Sequence, residues 1–126
     1  MNFKLTLPTT KGAYLTSHGK TTPEDSYAEN ANFWIKIIHE RLDRYRTDLT
    51  DQAVLDAIGS VDGLSILDAG CGEGYLSRKL AQDGAQVIGI DACADLVRSA
   101  EESAARSGLS IDSCTGTVDN LPIAQR

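Results

Sequence analysis

Apolar positions along this chain change their spacing near residue 63, and the change predicts two differently built parts. From Ser26 onwards, large apolar residues recur at steps of three and four, which is the spacing of one helix face. The positions on this face are Tyr27, Ala31, Trp34, Ile38, Leu42 and Tyr45. A shorter helix is predicted between Thr50, as its cap, and Gly59, as its stop. The helical part spans residues 26–62 and follows an irregular N-terminal arm at residues 1–25.

Residues 63–126 alternate between short apolar runs and amphipathic helices, which predicts an α/β fold. The predicted strands are Leu64–Leu67, Val87–Ile90 and Leu109–Cys114, and the predicted helices are Glu73–Gln82 and a segment from Ala94 to Gly108. The first two strands are short, mostly apolar runs, which are typical of strands buried on both faces of a sheet. Because the connections are short, we expect parallel strands joined by right-handed crossovers.

The composition is that of an ordinary globular protein, and its charge balance excludes one class of partner. The chain has 126 residues, of which 41% are hydrophobic, enough for one domain with a buried core. With 12 Lys and Arg against 18 Asp and Glu, the formal charge is −6, and no basic cluster could neutralise phosphates. We therefore expect no nucleic-acid partner. The sequence shows no membrane-spanning apolar run and no secretory signal, so we expect no membrane partner either.

The three cysteines, Cys71, Cys93 and Cys114, are odd in number and far apart, with only His18 and His39 to accompany them. This pattern predicts neither a disulfide framework nor a metal site. It favours reduced thiols that serve as small packing residues in a cytoplasmic protein.

The clearest chemical signal is the turn Asp68-Ala69-Gly70-Cys71-Gly72-Glu73-Gly74, where a strand ends in a carboxylate and glycines lead into a helix. Glycines in such a turn permit positive φ and let a ligand lie against the backbone. The spacing argues against a dinucleotide, because Tyr75 stands where G-x-G-x-x-G needs its last glycine. Glu73 also adds a negative charge where a pyrophosphate prefers bare N–H groups. The alternative is an ordinary tight turn with Asp68 as a helix cap.

Asp91 ends the next predicted strand and has the chemistry of a ribose ligand. Its two oxygens can accept hydrogen bonds from both hydroxyls of a sugar that lies across the strand ends. A plain N-cap of the following helix is the alternative. Because a nicotinamide site would use such an acid too, Asp91 is informative only together with the turn after Asp68.

At these residues the chain resembles the class I S-adenosylmethionine-dependent methyltransferases. The turn is similar to their D-x-G-x-G-x-G motif, and the resemblance runs from about Gly63 to Pro122. It implies a Rossmann-like parallel sheet with its first three strands in the order 3-2-1, and S-adenosylmethionine or S-adenosylhomocysteine as the cofactor. It also implies that Asp68 orients the methionine end and that Asp91 holds the ribose. The other residues that it places around the cofactor in this part are Ala69, Gly70, Cys71, Gly72, Gly74 and, beside the adenine, Ala92.

The run Gly116–Ile123 resembles the stretch G-D-A-E-x-L-P-F that follows the third strand in this family. The resemblance implies that Thr117 and Val118 contact the adenine, with Thr117 in place of the usual Asp. Asp119 is a candidate substitute for the contact to the adenine amine. The alternative is that Thr117 and Asp119 are ordinary loop residues.

The resemblance implies transfer of a methyl group to a small-molecule acceptor, and no residue stands out as the catalytic base. Two other functions stay open: a nicotinamide-dependent oxidoreductase, and a non-catalytic interaction protein that keeps a nucleoside-binding fold.

Some side chains of the N-terminal arm and of the helical part have two interpretations. Tyr45 and Arg46 could reach a cofactor carboxylate, but we expect a solvated helix end. His18 and His39 could be substrate-side bases, but we expect them to be structural or exposed. For Trp34 and Tyr27 we expect core packing, with a substrate platform as the alternative.

The sheet of this family has seven strands, whereas the chain supplies three. We therefore expect an incomplete domain, the N-terminal part of a longer enzyme that alone binds the cofactor weakly, if at all, and lacks normal turnover. The strand that ends at Asp68 would then be a sheet edge, and an exposed edge tends to recruit another chain. We expect a homodimer through that edge.

Overall fold

The computed structural model describes residues 3–4, 23–121 and 124–125 of the chain. Residues 5–22, which make up most of the predicted N-terminal arm, and residues 122–123 lie outside this description. In chain order the elements are β1 (Phe3–Lys4), α1 (Pro23–Glu29), α2 (Ala31–His39), a π-helical turn (Arg46–Thr50), α3 (Asp51–Ile58), β2 (Ser65–Ala69), α4 (Tyr75–Gln82), β3 (Gln86–Asp91), α5 (Ala94–Arg106), β4 (Asp112–Thr115) and β5 (Ala124–Gln125).

The central sheet is parallel and has the strand order β2-β3-β4. This arrangement confirms the Rossmann-like α/β fold and the order of the three strands predicted from the sequence. The register pairs Ala69 with Ile90, and Asp91 with Thr115, so the carboxyl ends of all three strands meet at one edge. A separate antiparallel pair joins β1 to β5.

Two apolar clusters hold the helices on the sheet. The first contains Val61, Leu80, Ala85 and Val87 and fixes α4 against β3. The second consists of Ala31, Cys93 and Leu96, with Ile35 packed against them. Because this second cluster joins α2 to the start of α5, it places α2 beside the carboxyl end of β3.

The helical part is divided differently from the prediction. The helix face predicted to continue through Leu42 and Tyr45 is interrupted, because α2 ends at His39 and Arg41 has a φ of +53°. The next helical segment begins where Asp43 accepts a hydrogen bond from the backbone N–H of Arg46 at 3.0 Å. Thr50 directly precedes α3, as predicted, but its hydroxyl donates to the carbonyl of Arg46 and makes no capping hydrogen bond to α3. The periodicity missed the break because apolar spacing continues across it.

The start of the first helix and the end of α3 follow ordinary helix chemistry. Helix α1 begins at Pro23 rather than Ser26, and proline suits the first turn because it needs no N–H donor there. Gly59, with a φ of +73°, ends α3 as predicted.

Strand β2 is less buried than its apolar run suggested. Its residues alternate between exposed and half-buried, and the side chain of Leu67 is 40% exposed. Burial on both faces was therefore a wrong prediction for this strand. The physical reason is that, among the described strands of the central sheet, β2 has a neighbour along one edge only.

Candidate functional site

The glycine-rich turn after β2 is tied to the end of β3 by its own backbone. The N–H groups of Gly70 and Cys71 both donate to the carbonyl of Ile90, at 2.7 and 3.0 Å. The turn can bend this sharply because Gly70, Gly72 and Gly74 have φ values of +80°, +56° and +80°. Glycine adopts such left-handed conformations with little strain, whereas other residues do not.

Asp91 connects this turn to the loop that follows β3. Its Oδ2 accepts a hydrogen bond from the N–H of Gly72, and its Oδ1 accepts one from the N–H of Cys93, both at 2.9 Å. The carboxylate is therefore held in a fixed orientation at the edge of the sheet. Since each carboxylate oxygen has two lone pairs, each retains a site for a further donor.

A cavity of about 470 Å³ opens at the carboxyl ends of the strands and brings most of the predicted site residues together. The predicted residues that line it are Gly70, Gly72, Asp91, Ala92, Thr117, Val118 and Asp119. A Cβ atom added at Gly70 or Gly72 would meet no described protein atom within 4 Å, so the protein's own packing does not fill this space. The backbone here is open to a ligand.

A smaller cavity of about 290 Å³ lies on the other side of the turn and is lined by Asp68 and Cys71. Asp68 is oriented there by Ser77, whose hydroxyl donates to its Oδ2 at 2.6 Å. The two cavities share the same wall residues where they meet: Ile38, Gly70, Gly72 and Glu73. The structure thus places Asp68 and Asp91 around adjoining cavities rather than around one.

Ala69 and Gly74 line neither of these cavities. Ala69 is exposed on β2. Gly74 packs closely against α5, since an added Cβ atom would lie 2.9 Å from Cβ of Ala100. The geometry therefore gives Gly74 a packing role, and Ala69 no contact with the cavities.

Glu73 forms a buried cluster that the sequence analysis did not predict. Its side chain is fully buried, and its Oε2 is 2.8 Å from the Arg78 guanidinium and 3.0 Å from Nε2 of His39. A second Arg78 nitrogen donates to the Glu73 carbonyl at 2.6 Å. Glu73 and Arg78 are five residues apart, which is not the i,i+3 or i,i+4 spacing of a helix pair, so the sequence carried no clear signal for this contact. His39, from α2, is brought in by the fold.

Arg46 is half-buried rather than solvated, in contrast to its neighbour Tyr45, which is 72% exposed. Its guanidinium carbon lies 4.3 Å from the centre of the Tyr75 ring, and it lines the smaller cavity. Burial and a hydrogen bond to Asp51 raise the pKa of Tyr75, so this phenol stays protonated at neutral pH. The prediction of a solvated helix end was thus correct for Tyr45 and wrong for Arg46.

Trp34 and Tyr27 line the larger cavity, and these two residues are 38% and 52% exposed. Their ring centres are 6.2 Å apart. The core packing predicted for this face is therefore wrong for these two residues. They form an aromatic wall beside Asp91 and Ala92. This geometry fits the alternative prediction for these residues, a platform for a planar group of the substrate.

The cysteines behave as packing residues. All three are free, and Cys71 and Cys93 are buried. Burial, together with the charges of Asp68 and Asp91, raises the pKa of the Cys71 thiol to about 12. The thiol is therefore protonated and a poor nucleophile at neutral pH.

The second part of the chain is similar to known methyltransferases. Residues 66–126 match a family model described as a methyltransferase domain. A ubiquinone biosynthesis O-methyltransferase from Leptothrix cholodnii is 49% identical over 51 residues, which are 40% of this chain and 22% of that protein. The chain spans about a quarter of the length of the curated relatives it matches.

Solved structures show the same fold. A SAM-dependent methyltransferase from Aquifex aeolicus superposes with a TM-score of 0.52 at 25% identity, over 65% of this chain and 46% of that one. The magnesium protoporphyrin IX methyltransferase from Synechocystis, a structure with bound SAM, has a TM-score of 0.60 at 24% identity and covers 80% and 57% of the two chains. In the part of the chain that the structure describes, every helix is too short or too polar to cross a membrane.

Proposed function

We propose that this chain is the cofactor-binding part of a class I S-adenosylmethionine-dependent methyltransferase, because residues 66–126 match the family model of a methyltransferase domain. One observation carries the proposal. The glycines of the turn, the acid that ends β3 and the loop after β4 line one cavity at the carboxyl edge of a parallel sheet. Nucleosides bind at this edge in open α/β folds. When bound, the cofactor supplies an electrophilic methyl group on a positively charged sulfur.

The larger cavity suits the nucleoside end of S-adenosylmethionine or S-adenosylhomocysteine. Asp91 keeps one free acceptor site on each oxygen, which matches the two hydroxyls of a ribose. Ala92 and Val118 offer apolar contacts to an adenine ring, and Thr117 and Asp119 offer polar ones. The open space at Gly70 and Gly72 lets the sugar lie against the backbone.

The smaller cavity suits the amino-acid end of the same cofactor. Two buried polar atoms of residues that line it, Nε of Arg46 and Oε1 of Glu73, have no hydrogen-bond partner among the described residues. An α-amino acid carries a carboxylate for the first and an ammonium group for the second. Since buried polar atoms are normally hydrogen-bonded, these two atoms fit a ligand with both groups. Asp68, also in this wall, adds negative charge for the ammonium group.

The acceptor that we propose is a small molecule methylated on oxygen. The relatives with the matching sequence are named O-methyltransferases. The aromatic wall of Trp34 and Tyr27 offers stacking surface to a planar acceptor. The nicotinamide alternative is disfavoured because Tyr75 begins α4 where a dinucleotide turn needs glycine, and Arg46 covers its ring.

We predict that S-adenosylhomocysteine shifts the amide resonances of Gly70, Gly72 and Asp91 in NMR titrations of the chain, and that NADH at equal concentration does not. Replacing Asp91 by Asn should weaken the binding about 10- to 100-fold, because hydrogen bonds to a charged acceptor are worth about 1.5–3 kcal/mol. The NH2 group of the new Asn also stands where a carboxylate oxygen accepted the N–H of Gly72 or of Cys93. One of these two hydrogen bonds is therefore lost.

Asp112→Asn is the matched control for this titration. Asp112 is an exposed acid at the start of β4 and lines neither of the two cavities. Its variant should bind as the natural chain does. Equal shifts with NADH, or equal affinity of the Asp91 and Asp112 variants, would contradict the proposed cofactor site.

We further propose that the chain forms a homodimer through the edge of β2 that pairs with no other described strand, here called its free edge. Gly70 N–H and the carbonyl of Leu64 both bond to β3, which fixes the alternation of backbone groups along the strand. The N–H groups of Ser65 and Leu67 therefore point away from β3, towards the free edge. Such an edge, next to the 40% exposed side chain of Leu67, is a template for pairing.

In sedimentation velocity we expect the natural chain to dimerise with increasing concentration and Leu67→Pro to remain monomeric. The proline removes an N–H donor at the free edge and leaves the bonds to β3 in place. Leu67→Ala is the control, since it keeps that N–H group and should still dimerise. A natural chain that stays monomeric at all concentrations would rule out this dimer.

For the cellular location we propose the cytoplasm. The three cysteines are free in the structure, and reduced thiols persist in that compartment.

A further inference from the structure

The smaller cavity contains an arginine that packs on an aromatic ring. The guanidinium carbon of Arg46 lies 4.3 Å from the centre of the Tyr75 ring, and both residues line the cavity together with Asp51. Nε of Arg46 is 3.8 Å from Oδ1 of Asp51, which is too long for a hydrogen bond. This buried nitrogen has no hydrogen-bond partner among the described residues, so Arg46 keeps an unused donor at the cavity wall.

A π-helical turn brings Arg46 and Asp51 to the same side of their segment. The backbone N–H of Asp51 donates to the carbonyl of Arg46, so the two residues are one wide turn apart. In an α-helix, with about 3.6 residues per turn, side chains five positions apart point in different directions. π-Helical turns are rare, and those that occur are often found at functional sites. The local fold thus places an acid beside the arginine at the cavity wall.

Asp51 also fixes the ring on which Arg46 packs. The Tyr75 hydroxyl donates a hydrogen bond to the Asp51 carboxylate, and the raised pKa of this phenol keeps it a donor at neutral pH. Tyr75 is the first residue of α4 and directly follows Gly74, so its ring is anchored at the end of the glycine-rich turn. The turn, the ring and the guanidinium are therefore linked by direct contacts.

We propose that Tyr75 is a positioning residue that holds the Arg46 guanidinium for the α-carboxylate of the cofactor, and that the site thereby selects nucleoside thioethers that carry this carboxylate. The proposal rests on the proposed methyltransferase function and names the specificity of its smaller cavity. A cation–π contact requires none of the N–H groups of the guanidinium. Arg46 is therefore oriented by the ring while its donors stay available for a planar carboxylate.

This orientation increases affinity because the arginine loses less freedom when the ligand binds. A free arginine side chain samples many rotamers, and fixing them opposes association. With the Tyr75 ring in place, this entropy is lost when the chain folds rather than when the cofactor binds. We therefore expect removal of the ring to weaken binding even though the charge of Arg46 remains.

Two ligands that differ by one group provide the test. S-adenosyl-3-thiopropylamine is S-adenosylhomocysteine without its carboxylate, so it keeps the nucleoside and the ammonium group. In NMR titrations the natural chain should bind S-adenosylhomocysteine about 100-fold more tightly than this analogue. Tyr75→Leu should weaken the binding of S-adenosylhomocysteine about 10-fold and leave that of the analogue unchanged. Tyr75→Phe, which keeps the ring, should restore most of this loss.

A double-mutant cycle shows whether Tyr75 acts through Arg46. Arg46→Met should bind both ligands about equally. Adding Tyr75→Leu to Arg46→Met should change neither affinity, because the contact between the two side chains is already absent. A residue that only supports the fold would instead weaken both ligands and would add its loss in the Arg46→Met background.

Tyr45→Leu and Lys79→Met are the matched controls. Tyr45 precedes Arg46 and is 72% exposed, and Lys79 is a second cation in the wall of the smaller cavity. Both variants should keep the natural preference for the ligand with the carboxylate. If Lys79→Met loses this preference and Arg46→Met keeps it, the carboxylate is bound by Lys79 and the proposal is overturned.

The outcomes for the natural chain separate this proposal from the proposed function. A natural chain that binds neither ligand contradicts the proposed function. If it binds both ligands equally, or if Tyr75→Leu weakens both to the same extent, the function stands and Tyr75 does not position Arg46.

Discussion

We expect the replacement of Arg78 by Met to lower the free energy of unfolding by about 3 kcal/mol. The guanidinium is the closest partner of a carboxylate that has no exposed surface, with contacts of 2.8 Å to Oε2 and 2.6 Å to the carbonyl of Glu73. Without it, a buried negative charge is left with His39 as its remaining hydrogen-bond partner. The side-chain volume is largely kept by Met, so urea unfolding of this variant measures the missing charge and donors.

Arg98→Met is the matched control. Arg98 also lies on a helix and contacts a carboxylate, Asp95, at 2.9 Å, but both side chains are half exposed or more. Removing an exposed ion pair costs about 0–1 kcal/mol. Combining Arg78→Met with Glu73→Gln should recover part of the loss, because the charge that lacked a partner is then absent. If the Arg78 and Arg98 variants lose equal free energy of unfolding, the buried ion pair stabilises the fold no more than the exposed one.

Replacing Gly74 by Ala should lower the free energy of unfolding by about 2–4 kcal/mol, because backbone strain and a steric clash act at the same position. The residue has a φ of +80°, which is strained for any side chain. Its new Cβ atom would also lie 2.9 Å from Cβ of Ala100. An alanine Cβ cannot rotate away, so α5 itself must move. The unfolding midpoint in urea is the measurement.

Gly63→Ala separates the two penalties. Gly63 has a similar φ of +74°, but a Cβ atom there meets no described atom within 4 Å, so the cost should be about 1 kcal/mol. A double-mutant cycle of Gly74→Ala with Ala100→Gly should show a coupling of about 1 kcal/mol from the relieved contact. If Gly63→Ala and Gly74→Ala lower the free energy of unfolding equally, the contact with α5 does not cause the destabilisation at Gly74.

These experiments bear on function because both positions support the ligand-binding turn. Gly74 ends the turn and sets the distance between α4 and α5, and Arg78 holds Glu73 at the junction of the two cavities. A variant that relaxes either contact should therefore also weaken cofactor binding.

The α/β part was predictable because its signals are local. The apolar runs at 64–67 and 87–90 and the glycine spacing at 70–74 each depend on a few adjacent residues. The helical part was predicted less well. The apolar spacing continues through Leu42 and Tyr45, yet α2 ends at His39, since a side-chain cap at Asp43 starts a new helix there.

By itself, the sequence determined the strand–helix alternation, the parallel pairing of the strands and the glycine turn after an acidic strand end, because short connections require right-handed crossovers. The order of the strands was implied by the family resemblance. Only the tertiary structure decided that Asp68 and Asp91 face adjoining cavities, that Trp34 and Tyr27 form a cavity wall, and that His39 contacts Glu73. The reason is that these relations join residues from separate elements. Which side chains meet depends on how α2 packs against α5, and no spacing along the chain encodes that packing.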